Sequence, residues 1–222
     1  MNYIVYILSV FYCLLYACIL FSNGAGIMPY FVHDNSIYFY ISKDNHIVNT
    51  WNDFGGSFNL QESTLYNTGK TSQAFMQAAA RNFFQETSGI FTNIYGISLN
   101  YLNTLKLLKS GYTQGVFFAE RRFLKYVYRL FFVPVLDNSF FVLSNFSSYI
   151  NSINNNILLD NKPKKVAIAT VLIDDLLYTI DSTDSFVKVT GISYNIGQSN
   201  KDYVVALKNS FIEVLREAYI LG

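Results

Sequence analysis

The sequence predicts an α+β layered sandwich, and three observations lead there. Runs rich in aromatic and β-branched residues read as strands on both sides of one long helical pattern, and a second amphipathic pattern closes the chain. The length, 222 residues, suits one domain with a sizeable core. Cys13 and Cys18 both lie in an amino-terminal apolar stretch, so the remaining domain has no disulfide framework and no thiolate metal site. The net charge of +1, without a basic stripe, gives no electrostatic case for a nucleic-acid partner. Apolar residues make up 51% and charged residues only 14%, below the usual quarter for soluble domains. Part of that skew is local.

Tyr3 to Phe21 carries no charge and is interrupted only by Ser9, long enough for a helix to cross a hydrocarbon core of about 30 Å. A single-pass membrane anchor is the expectation. A cleaved signal peptide, leading into the secretory pathway, is the other reading, because Ser22 and Gly24 offer small residues for cleavage although Lys and Arg are missing ahead of the apolar run. The expected organisation is therefore a hydrophobic segment over 1–24 and one domain over 25–222.

From Gly26, GIMPYF, the turn HDNS and IYFYISKD predict a β-hairpin. His33 in that turn and His46 in the next loop read as solvated residues. Gly55-Gly56 gives the backbone freedom for a sharp turn next to a phosphate, which makes both candidate substrate-binding residues. Thr68-Gly69-Lys70-Thr71-Ser72 invites comparison with a phosphate loop, but Thr64 stands where the first glycine is required. It reads as a loop with a helix start capped by Thr71 or Ser72, leaving Lys70 as a candidate phosphate contact. The helix from Ser72 to Glu86 sorts Met76, Ala80, Phe83 and Phe84 to a core side. Asn82, Gln85 and Glu86 fall on the other side, with Ala78 and Ala79 beside them leaving room for a ligand.

Beyond Gly89, ISLNYLNTLKLLKSG fits either a strand or a short helix. Thr113 to Ala119 and Phe123 to Val135 read as strands joined by a charged turn, Glu120-Arg121-Arg122, with Glu120 a candidate substitute ligand. Ser144 to Pro163 reads as a loop, in which Asn145-Phe146-Ser147 is a glycosylation acceptor if luminal. Lys164 to Leu172 is a strand, Asp174-Asp175 opens a helix, and Ser199 caps a final helix through Ile220 with Val204, Leu207, Phe211, Val214 and Leu215 packing inward.

The stretch from Trp51 to Ile90 resembles the Nudix box, G-x5-E-x7-R-E-U-x-E-E-x-G-U with U apolar. Gly56 and Glu62 match its opening, and Arg81, Glu86 and Gly89 match its end. Three departures stand out. Asn82 and Gln85 replace carboxylates, Ser88 adds one residue, and eighteen residues rather than seven separate Glu62 from Arg81. A lead-in from Ala25, followed by a hairpin and W-x-D-F-G-G, widens the resemblance. It implies a mixed-sheet α/β/α sandwich and a hydrolase acting on nucleoside diphosphates linked to another group. It also implies Mg²⁺ or Mn²⁺ held by Glu86, Glu62, Gln85 and Asn82, with Glu86 and Arg81 as the catalytic pair. The positions 82, 85 and 86 converge on one helix face, where amides lower the charge offered to a hard cation. Weak or lost catalysis is the consequence. A non-catalytic, membrane-anchored module that binds a nucleotide-type small molecule, or acts as a scaffold, is the alternative.

Overall fold

Asp34 and Asn35 both take positive φ, 47° and 61°, as a type I′ turn requires and as these two residue types tolerate. They close the expected hairpin between β1 (Gly24–His33) and β2 (Ser36–Asp44), with His33 opposite Ser36 and Tyr30 opposite Phe39. This computed structural model describes residues 23–44, 50–138, 141–146, 148, 165–182, 185–189, 191–192 and 203–221. The apolar segment before Ser22, both cysteines, His46 and most of the stretch 144–163 lie outside the described residues.

β1 organises the sheet. Along one edge β6 (Tyr126–Pro134) runs parallel to it, from Gly24 beside Tyr128 to Tyr30 beside Pro134. The other edge is shared: β4 (Phe54–Ser57) pairs antiparallel with its first half and β2 with its second. β3 (Thr50–Asn52) pairs with β2, β5 (Phe117–Phe123) with β6, and β7 (Lys165–Leu172) with β2, all antiparallel. β8 (Phe186–Val189), β9 (Gly191–Ile192) and β10 (Tyr203–Leu207) extend the sheet, β10 lying parallel to β3. The sheet is mixed, as expected.

Side-chain alternation along β1 and β2 sends residues to two separate cores. Ile27, Phe31 and Tyr40 pack with Phe54, Phe75, Phe83 and Phe91 under α1 (Leu60–Asn67), α2 (Thr71–Thr87) and α3 (Tyr101–Ser110). Met28, Phe39 and Ile41 pack on the other face with Leu176 and Ile180 of α4 (Ile173–Asp181) and Phe211 and Leu215 of α5 (Asn209–Leu221). Helices thus cover both faces of the sheet. Edge-to-face rings fix α2 on its side, with Phe54 and Phe83 5.6 Å apart at 88°.

Several sequence expectations need correction. α1, ahead of the Thr68–Ser72 segment, was not among the expected elements; it is started by a capping box in which Asn59 and Glu62 each bond the other's backbone N–H. α2 begins after Lys70, whose side chain makes no cap, rather than after Thr71 or Ser72. The ambiguous stretch is helical over α3, capped by Asn100. Glu120-Arg121-Arg122 lies within β5 instead of forming a turn, and its charges find partners there: Arg129 of the neighbouring strand binds Glu120 at 2.6 Å, while Arg121 reaches Glu213 and Glu217 of helix α5. The final segment is strand β10 followed by α5, not one helix, and Val204 is exposed while Val205 and Leu207 are buried.

Candidate functional site

Asp53 stands between β3 and β4 and is almost fully buried; its Oδ2 accepts a hydrogen bond from the Tyr128 hydroxyl at 2.6 Å. Two glycines make that pair possible. A Cβ on Gly26 would lie 1.7 Å from Asp53 Oδ2, and one on Gly55 would lie 2.1 Å from the Tyr128 hydroxyl oxygen. Burial lifts the Asp53 carboxyl above the usual carboxylate range, against the opposing pull of Lys165 and of the Tyr128 hydrogen bond. Burial, reinforced by Asp53, also raises the Tyr128 phenol. A cleft of about 380 Å³ opens over this pair, walled by Gly55, Gly56, Tyr126, Lys208, Ser210 and Phe211. Lys208 is exposed and sits at the amino-terminal end of α5, where backbone N–H groups and an ammonium both favour an anion.

The box helix α2 brings its polar side against the sheet rather than to solvent. Asn82 and Glu86 are buried, along with Ala78 and Ala79, whereas Gln85 and Phe84 are exposed. This corrects the expected sorting, in which Phe84 faces the core. Gly55 and Gly56 lie in strand β4 with ordinary φ rather than in the expected sharp turn, and a Cβ on Gly56 would come within 3.1 Å of Asn82 Oδ1, so the missing side chain eases the close approach of the helix. Asn82 Nδ2 donates to the Ala25 carbonyl at 3.3 Å, and its Oδ1 accepts from Arg81 at 2.9 Å.

Arg81 is the hub of the box. Its guanidinium meets Glu62 through two hydrogen bonds of 2.7 and 2.8 Å, the Ser57 carbonyl at 2.9 Å, and Gln85 Oε1 at 3.3 Å. Gln73, eight positions before Arg81, is exposed, and it is Glu62 that reaches Arg81 across the insertion. Glu86 faces Lys165, the first residue of β7, with Nζ 3.7 Å from Oε2. The same ammonium donates to Asp44 at 2.7 Å, Asn52 Oδ1 at 2.6 Å and the Asp53 carbonyl at 2.8 Å. Burial acts to raise the Asp44 carboxyl, but Lys165, the Asn52 amide and Lys208 outweigh it and hold it below its ordinary value.

These donors do not fit a divalent cation. Glu62 is engaged by Arg81 and by its own helix cap, Asn82 by Arg81 and β1, and Glu86 faces an ammonium. Among the described residues, no three His, Cys, Asp or Glu side chains gather as a metal site would require. Of the substrate candidates, Gly55 and Gly56 line the cleft, while Lys70 is exposed and is not among its walls. His33 is not simply solvated, because its Nδ1 and Asp137 Oδ2 are 2.6 Å apart. Asp53, Tyr128, Lys165 and Lys208 escaped sequence reasoning. The one available signal was a lysine leading an apolar strand, Lys165 before VAIATVL.

No family pattern matches the sequence, and no curated protein does. Among solved structures, part of the chain aligns with a C. elegans Ap4A hydrolase in a binary complex, at 12% identity and a TM-score of 0.29, over 51% of this chain and 64% of that one. A NUDIX hydrolase from Alicyclobacillus acidocaldarius aligns at 10% identity and a TM-score of 0.31, over 51% and 69%. The chain thus spans about two thirds of each of these proteins. No helix among the described residues is long and apolar enough to cross a membrane.

Proposed function

We propose that this chain is a Nudix-type module that binds a nucleotide-type ligand in the cleft and has lost metal-dependent pyrophosphate hydrolysis. The observation that carries this reading is the engagement of the box donors: Glu62 and Asn82 are held by Arg81, and Glu86 faces Lys165. A metal normally polarises the phosphoryl oxygen and helps to generate the attacking hydroxide, so its exclusion removes the main electrostatic catalyst. Arg81 then has a bracing role in place of a catalytic one.

The cleft supports the ligand class. Its volume lies within the range of small-molecule sites. Lys208 and Ser210 suit a phosphate, the Gly55-Gly56 backbone permits close approach, and Tyr126 and Phe211 offer apolar surface to a base. Thermal stabilisation of the full chain in detergent and EDTA, against dinucleoside polyphosphates, nucleotide sugars and ADP-ribose, tests it. Binding weakened about tenfold or more by Lys208→Ala is expected, the loss of roughly one charge-assisted contact. No stabilisation by any member of the panel contradicts it.

Attachment to a membrane through the apolar segment ahead of β1 belongs to the same reading and rests on the charge-free run from Tyr3 to Phe21. Alkaline extraction of membranes leaves an anchored chain in the pellet; complete release as soluble protein rejects the anchor.

A further inference from the structure

Where the box pattern expects an added cation, the chain supplies one of its own. The Lys165 side chain is 1% exposed, and its ammonium has three hydrogen-bond acceptors: Asp44 Oδ1, Asn52 Oδ1 and the Asp53 carbonyl, all within 2.8 Å. That exhausts its three donors. Glu86 Oε2 stands next, at 3.7 Å. The oxygens come from β2, from the β3–β4 junction and from α2, so one ammonium links the box helix to the sheet at the point where three segments meet.

We propose that the Lys165 ammonium is the resident cation of this box: it offsets one of the two charges of Asp44 and Glu86, and makes the helix–sheet junction independent of divalent metal. An ammonium of this kind does from a covalent tether what a bound ion does from solution. With it in place the three charged side chains sum to minus one; without it, Asp44 and Glu86 leave an oxygen-lined space at minus two. Hard divalent cations take such spaces. The inference rests on the proposed function only for the ion that the box would otherwise hold. Its test uses metal alone, so failure of ligand binding in the cleft leaves it untouched.

The test is thermal unfolding of the full chain, and of Lys165→Ala, in EDTA and in Mn²⁺, together with Mn²⁺ binding followed by electron paramagnetic resonance. Wild type is expected to unfold at the same temperature in both media and to leave Mn²⁺ free. Lys165→Ala is expected to unfold earlier in EDTA and to regain about 5–10 °C with Mn²⁺ a hundredfold above its Kd. That gain should vanish in Lys165→Ala combined with Glu86→Gln. A wild-type protein stabilised by Mn²⁺ overturns the proposal, and so does a folded Lys165→Ala that ignores it. If Lys165→Ala fails to fold, Asp44→Asn carries the test. Its loss of stability should not be restored by Mn²⁺, because the ammonium still fills the space, and restoration overturns the proposal.

Discussion

Arg81 and Glu62 are joined by two side-by-side hydrogen bonds, Nε to Oε1 at 2.7 Å and Nη2 to Oε2 at 2.8 Å, across an insertion that carries a whole helix. The Glu62 side chain is 3% exposed and that of Arg81 22%, so removing one partner leaves the other poorly solvated. Glu62→Gln is expected to cost about 3 kcal/mol or more in urea unfolding. In a double-mutant cycle with Arg81→Met, a coupling of about 1–3 kcal/mol is expected; additive losses reject the clamp.

Gly26 carries a second prediction. Gly26→Ala places a methyl group against Asp53 Oδ2 and Tyr128, and overpacking of this kind costs about 1–3 kcal/mol. Adding Asp53→Ala should return part of the loss, measured by chemical denaturation. A fully tolerated Gly26→Ala contradicts the packing described.

Asp53 and Asp44 are expected to respond to pH with opposite signs. The Asp53 carboxyl is raised, chiefly by burial, so its favourable contribution is full below the ordinary aspartate value and is lost as pH rises through the raised one. Asp53→Asn keeps an acceptor for Tyr128 without ionising. It should therefore exceed wild-type stability at about pH 7 and match it near pH 3. Asp44 is lowered: burial opposes the shift, and Lys165, Asn52 and Lys208 produce it. Its contribution is full above the ordinary value and is lost as pH falls through the lowered one. Asp44→Asn should cost stability at neutral pH and little in acid. Melting curves across pH decide both.

His33 offers a surface probe. The hydrogen bond to Asp137, with the charges of Asp34 and Asp137, raises its pKa above the usual imidazole value. The protonated ring is favoured, so its contribution is full below the ordinary value and is lost as pH rises through the raised one. Asp137→Asn should move the imidazole titration, followed by NMR, back toward the ordinary value. An unchanged midpoint contradicts the contact.

The elements legible in the sequence were those whose signal is local. Asp34-Asn35 between aromatic runs specified the hairpin, and the apolar run after Lys165 specified β7. α1 was missed because its eight residues lack an apolar stripe; Leu60 is 86% exposed, and the signal was the short capping box from Asn59 to Glu62. In β10, Val204 and Leu207 have helical spacing, yet Val205 and Leu207 alternate inward as a strand, and a five-residue segment satisfies both periods. The site was the least legible part. The polar helix side reads as a face for a ligand or metal, and nothing local to it distinguishes an added ion from a buried lysine, because Lys165 lies far from Glu86 in the chain.

The central claim is tested most directly by hydrolysis. The full chain and Glu86→Gln would be incubated with dinucleoside polyphosphates, nucleotide sugars, ADP-ribose and capped RNA, with Mg²⁺ or Mn²⁺, and products followed by chromatography. The account predicts no metal-dependent turnover above that of Glu86→Gln. Turnover that needs the metal and disappears in Glu86→Gln would contradict it.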